Sequence, residues 1–74
     1  MTLTQLHYVI TIAEMKSFNK AAEKLYVSQP SLTSAIKELE KELGISIFYR
    51  NGRGAVLTND GTEFLLYAKQ IYGQ

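Results

Sequence analysis

The 74-residue chain has no cysteine, no tryptophan, one proline and one histidine. Without cysteine it has no disulfide to staple a small fold and no thiolate to bind a metal. His7 alone is too little for a histidine zinc site. No nucleophile–base pair, carboxylate dyad or phosphate loop is visible, so no enzyme, metal or cofactor is expected. Missing cysteine also fits a reducing compartment. No apolar run approaches the ~20 residues of a membrane span. The start, Met1-Thr2-Leu3-Thr4-Gln5, lacks the basic residues that open a secretory signal. These absences point to a cytoplasmic protein with no membrane partner. Repeats, linkers and low-complexity segments are also lacking. Net charge is scant, at +1. Its distribution says more than its sum: Glu38, Glu40 and Glu42 cluster, and the next acid is Asp60, with Arg50 and Arg53 between. A basic tip on a nearly neutral domain is the implied arrangement. The length allows one domain, with a core worth only roughly 3–5 kcal/mol.

What is present is a stretch that reads as helix, tight turn, helix, from Ala21 to Ile36. Leu25 and Val27 flank Tyr26 where the first helix ends. Ser28 can cap the second helix, its hydroxyl accepting from the unpaired N–H groups of the first turn. Pro30 falls in that first turn, where a missing N–H costs nothing. Gln29, Ser31, Thr33 and Ser34 then line the helix start with small hydrogen-bonding groups. Such a helix end can enter a DNA major groove and reach base edges and phosphates.

The rest of the chain builds around this pair. Thr2 and Gln5 form a capping box for a helix over about 3–15. Its apolar residues Leu6, Val9, Ile10 and Ala13 keep helical spacing. Lys16 lies at its C-terminal end, where a cation complements the dipole. Ser17 caps a second helix over about 18–25, with Phe18, Ala21, Ala22 and Leu25 on one face. The third helix covers about 29–43. Leu32, Ile36, Leu39 and Leu43 form its buried stripe; Pro30, Ser34, Lys37 and Lys41 lie opposite. Gly44 ends it as a C′ glycine. The pattern then becomes β-prone over 45–50 and 55–58. The Asn51-Gly52 pair between these segments signals a hairpin. Thr58 caps a fourth helix that continues to the C-terminus, with Asp60 in its first turn. The expected fold is mainly α with a small β-hairpin: a winged helix-turn-helix with a three-helix core, a wing and a C-terminal linker helix.

Each candidate contact has an alternative as ordinary solvated surface. Gln29 can bond a base edge, as an amide does to adenine. Pro30 shapes the helix start and can pack on sugar or a thymine methyl. Ser31, Thr33 and Ser34 are phosphate or base donors, and Ser28 can both cap and contact. Lys37 faces the groove side and suits a phosphate or a guanine; Lys41 is farther from the helix start. If Asn51-Gly52 is a two-residue turn, Arg50 and Arg53 are cross-strand neighbours. Like charges placed opposite are destabilising, and a phosphate would relieve them. A looser turn would weaken that repulsion. His7 reads as a boundary residue. Tyr26 reads as a packing residue first and a phosphate contact second. In the fourth helix, Phe64, Ala68 and Ile71 make one apolar stripe, and Leu65 with Tyr72 a second. A helix wet on one side needs one stripe, so Leu65 and Tyr72 are the candidate dimerisation seam.

These residues resemble the LysR-type transcriptional regulators. The matching string runs Ser17-Phe18, Ala21-Ala22, Leu25, Val27 to Leu32, Ile36, Leu39-Glu40, Leu43-Gly44, Phe48, Arg50, Arg53 and Leu57-Thr58, at fixed spacing over nearly the whole chain. The resemblance implies a winged DNA-binding domain at 1–58 and the start of a linker helix at 59–74. It implies operator DNA with paired half-sites as partner and a homodimer formed through the C-terminal helix. A small-molecule effector would bind only through a further domain that this sequence does not contain. At Ser34 and Ala35, where the family often has a longer basic or amide pair, this chain is short. More of the base reading then falls to Gln29, Lys37 and the wing. The competing reading is a winged-helix module that binds protein and not DNA, favoured by the near-zero net charge.

Overall fold

The computed structural model describes residues 1–49 and 54–73. Among these residues four helices appear, in the order α1 (Leu3–Met15), α2 (Phe18–Leu25), α3 (Gln29–Leu43) and α4 (Asn59–Tyr72). Each start is set by a hydroxyl. Thr2, Ser17, Ser28 and Thr58 occupy the N-cap positions, and each accepts a backbone N–H three residues on. Thr2 and Gln5 complete the capping box reciprocally, at 3.0 and 2.9 Å. Gly44 closes α3 in the left-handed conformation at φ 72°. The first two helices end instead on side-chain-bearing residues, Lys16 (φ 56°) and Tyr26 (φ 59°). Val27 N–H donates to the Ala22 carbonyl at 3.1 Å and locks the turn that follows α2.

The core joins Leu6, Val9, Ile10 and Ile12 of α1 to Ala21 and Ala22, to Leu32, Ile36 and Leu39 of α3, and to Phe64 and Ala68 of α4. Phe18, Leu25 and Leu43 pack against it half-buried. The α1 face is broader than the sequence stripe predicts. Ala13 is half-exposed, whereas Thr11 and Ile12 are buried. The reason is that α1 packs against all three other helices, so more than one stripe of it is covered. The buried Thr11 hydroxyl is satisfied by donating to the His7 carbonyl at 2.9 Å.

After α3 the chain forms two extended limbs. Phe48 pairs antiparallel with Leu57 as a single bridge, and no longer strand occurs among the described residues. Tyr49 N–H donates to the Val56 carbonyl at 2.9 Å, and Thr58 N–H to the Ile47 carbonyl at 3.0 Å. The limbs of the expected hairpin therefore meet, and their side chains Ile47, Phe48 and Ala55 are buried. The Asn51-Gly52 turn itself lies outside the described residues. The edge of the Phe18 ring contacts Phe48, with centroids 5.4 Å apart, and ties the wing base to α2. No helix among the described residues is long and apolar enough to cross a membrane.

Candidate nucleic-acid interface

The exposed face of α3 is built by the same features that start the helix. The Ser28 Oγ accepts the Ser31 N–H at 3.2 Å while its hydroxyl donates to the Ser31 Oγ at 2.8 Å. One turn on, the Gln29 side-chain amide donates to the Thr33 hydroxyl at 3.2 Å. That bond holds the amide along the helix surface. Ser28, Gln29, Pro30, Ser31, Ser34 and Lys37 are exposed, and Thr33 is half-buried. No large apolar side chain interrupts this face. Fifteen residues of helix span about 22 Å, and the N-terminal turns fit a groove about 12 Å wide.

Gln29, Thr33 and Lys37 also form one wall of an open cleft of about 400 Å³. Ser17, Phe18 and Asn19 at the start of α2 make a second wall, and Tyr49 with Gly54 at the wing base a third. Three of the sequence-predicted contacts, Gln29, Thr33 and Lys37, are thus brought together beside the wing; Ser28, Pro30, Ser31 and Ser34 lie outside the cleft. Asn19 and Tyr49, which sequence reasoning passed over, belong to the same surface. Arg50 and Arg53 lie outside the described residues.

Tyr26 departs from the packing role predicted for it, being 95% exposed. The signal was present: Ser28 caps α3, so α2 must end within the two residues before it, and one of them must turn outward. Val27 turns in and Tyr26 out. Glu40 is a second residue the sequence misplaced. It reads as part of an outward acidic cluster, yet it is buried. Its carboxylate accepts the backbone N–H groups of Ile47 at 2.6 Å and Phe48 at 3.2 Å. Glu38 and Glu42 are exposed, and Glu42 pairs with the Met1 ammonium at 2.7 Å.

On α4 the structure places Leu65 half-buried against the core and stacks the Tyr72 ring on His7, with centroids 5.0 Å apart. The exposed apolar residues are Leu66 (64%), Tyr67 (59%), Ile71 (47%) and Tyr72 itself (36%). At 3.6 residues per turn, Leu65 and Tyr72 lie only about 80–100° around the helix from Phe64. The two stripes read in the sequence are therefore neighbouring parts of one face, half-covered at Leu65 and open at Tyr72. Ile71 falls on that face but remains exposed near the helix end.

The fold and this face can be set beside known proteins. A family model described as bacterial regulatory helix-turn-helix protein, lysR family, matches residues 3–62. The chain belongs to the LysR family. Among curated LysR-type relatives, the HTH-type transcriptional regulator CitR of Bacillus subtilis (strain 168) is 42% identical over 71 residues, covering 96% of this chain and 24% of CitR. The uncharacterized HTH-type transcriptional regulator YwbI of the same organism is 55% identical over 53 residues, covering 72% of this chain and 18% of YwbI. The chain thus spans less than a quarter of either relative. Among solved structures it is similar to the BenM DNA-binding domain in complex with catB site 1 DNA. The TM-score is 0.94 and the identity 40%, over 99% of this chain and 78% of that one. In LysR terms, α2 and α3 are the helix-turn-helix, and the limbs around Phe48 and Leu57 are the base of the wing.

Proposed function

We propose that this LysR-family chain is the sequence-specific, double-stranded DNA-binding part of a longer bacterial transcription regulator, with no enzymatic role. The observation that carries the reading is the exposed face from Ser28 to Lys37. Over its three turns every outward side chain is small and polar, cationic, or the N-terminal proline. A protein-docking helix would present apolar anchors there; a helix that reads bases presents hydrogen-bonding groups. The likeness to a domain solved on DNA supports the same conclusion. In this reading α3 lies in the major groove and the wing, with Arg50 and Arg53, rests on the flanking backbone or minor groove. Gln29 and Lys37 reach bases, while Ser28, Ser31, Thr33 and Ser34 serve phosphates or neighbouring bases. Residues 1–58 form the reading head and 59–74 the start of a linker helix. Effector binding belongs to another part of the regulator, and the setting is the bacterial cytoplasm.

Pairing of two copies through α4 completes the proposal. Leu66, Tyr67 and Ile71 offer exposed apolar surface on that helix. A two-fold partner would cover it and present two α3 helices to successive major grooves about 34 Å apart. Leu65 and Tyr72 flank this surface, Leu65 from the core side.

Salt titration of duplex binding tests the reading. Lys37, Arg50 and Arg53, with Lys20 or Lys24, would neutralise ~4–6 phosphates per protomer. The slope of log affinity against log salt is then roughly −4 to −5. A flat titration would overturn DNA binding and favour a protein-binding winged helix.

A further inference from the structure

Glu40 stands apart from the other acids of α3. It is 8% exposed, whereas Glu38 and Glu42 lie in water. A carboxylate taken out of water is costly unless hydrogen bonds replace its hydration. Here Oε2 receives the N–H groups of two consecutive residues, Ile47 at 2.6 Å and Phe48 at 3.2 Å. Both are fully buried, and they begin the outgoing limb of the wing. Phe48 is also the residue that bridges to Leu57. The return limb is held elsewhere: Ala55 N–H donates to the Lys16 carbonyl at 3.2 Å, in the turn between α1 and α2. Each limb of the wing therefore hangs from a different point of the helical core. Among the described residues, the backbone bonds to the α3 carboxylate come from the outgoing limb.

A two-stranded ribbon is marginal on its own, and one bridge pair cannot set the direction in which it leaves the core. A charge-assisted bond to a rigid helix can. The same helix carries Gln29 to Lys37 on its outward face, and Glu40 lies eleven residues beyond Gln29, about 16 Å along the axis. We propose that Glu40 is a positioning residue for DNA recognition. Fixed to α3, it sets where the wing departs, and so the spacing between the bases read by α3 and the flanking segment touched by the wing. This rests on the DNA-binding reading above. It adds that a buried carboxylate fixes the outgoing limb to α3, beside the Thr58 bond that ties the same limb to the α4 cap.

The test compares wild type, Glu40→Ala and Glu40→Gln in the full chain. Three measurements are made: selection from randomised duplexes, footprinting, and amide hydrogen exchange without DNA. Loss of a hydrogen bond to a charged group corresponds to a roughly tenfold change or more in an equilibrium. In Glu40→Ala the Ile47 and Phe48 amides should exchange at least about tenfold faster than amides of α3. The base preference of α3 should persist, while protection and preference at the flanks are lost. Glu40→Gln keeps the volume and one carbonyl acceptor, so it should show the same changes in smaller measure. If circular dichroism shows that Glu40→Ala unfolds, Glu40→Gln decides. A merely structural role would lower the active fraction and weaken all positions of the site equally; that outcome, or unchanged flanks, overturns the proposal. Unchanged exchange at Ile47 and Phe48 overturns it without touching the DNA-binding reading. Absence of duplex binding by the wild type overturns that reading, and the proposal with it.

Discussion

Gly61→Ala is expected to cripple the fold although alanine is the better helix former. Gly61 is buried in the first turn of α4, and the carbon added there would lie 2.0 Å from the Ile47 carbonyl oxygen and 2.8 Å from its carbon. Ordinary contact begins near 3.4 Å, so helix and wing limb would have to part by more than an ångström. Neither side yields easily, because both are backbone. Ile47 is held through its N–H by Glu40 and through its carbonyl by the Thr58 N–H. Gly61 is held by the bond from its N–H to the Thr58 hydroxyl at 2.8 Å. Overpacking costs about 1–3 kcal/mol, and each strained backbone bond adds about 1 kcal/mol. Helix propensity returns about 1 kcal/mol. With two such bonds strained the net loss is about 2–4 kcal/mol, much of what a domain of this size has. The thermal midpoint should fall by roughly 10–30 °C. Circular dichroism melts of Gly61→Ala and Gly44→Ala make the assay. Gly44 has nothing within 4 Å and suffers only its positive φ of 72°, a cost of about 1–2 kcal/mol. If Gly61→Ala melts no lower than wild type, the close approach of α4 to Ile47 is not as described.

Substitutions on the interface should separate by type. Gln29→Ala should flatten preference at one base position in a duplex selection, at about 1–3 kcal/mol; Arg50→Ala and Arg53→Ala should weaken binding across all sequences. If neither class alters the sequence profile, α3 is not the reading helix. On α4, replacing Leu66 and Ile71 by polar residues should lower self-association and affinity for paired half-sites while leaving the melt unchanged. Polar residues at Leu65 should lower the melt as well. Sedimentation equilibrium checks the pairing: a strictly monomeric wild type at ~0.1–1 mM, a range worth about 4–5.5 kcal/mol of association, would refute it for this chain.

Most of the helix-turn-helix was legible because it is written in local rules. A hydroxyl at Thr2, Ser17, Ser28 and Thr58 and a glycine at Gly44 mark boundaries within a few residues of themselves, and the structure places caps at each. The outward face of α3 follows from the same spacing. What escaped depends on segments that return from elsewhere in the chain. Glu40 reads as surface until Ile47 and Phe48 fold back over it. Gly61 is an unremarked helix residue until a backbone arrives beside it. The width of the covered face on α4 could be judged only with α1 in place: of the apolar run from Phe64 to Tyr72, Phe64 and Ala68 are buried and Leu65 half-buried, while Leu66, Tyr67, Ile71 and Tyr72 stay exposed.

The peptide of Ile47 has a consequence for how such a protein could transmit force. It touches α3 through the Glu40 carboxylate, α4 through Gly61, and the helix cap through Thr58. There is no slack at that junction, since even a methyl group does not fit. A displacement of α4 would therefore bear directly on the root of the wing at Ile47. One peptide thus ties three elements together, and none of them can shift at the wing root without the other two.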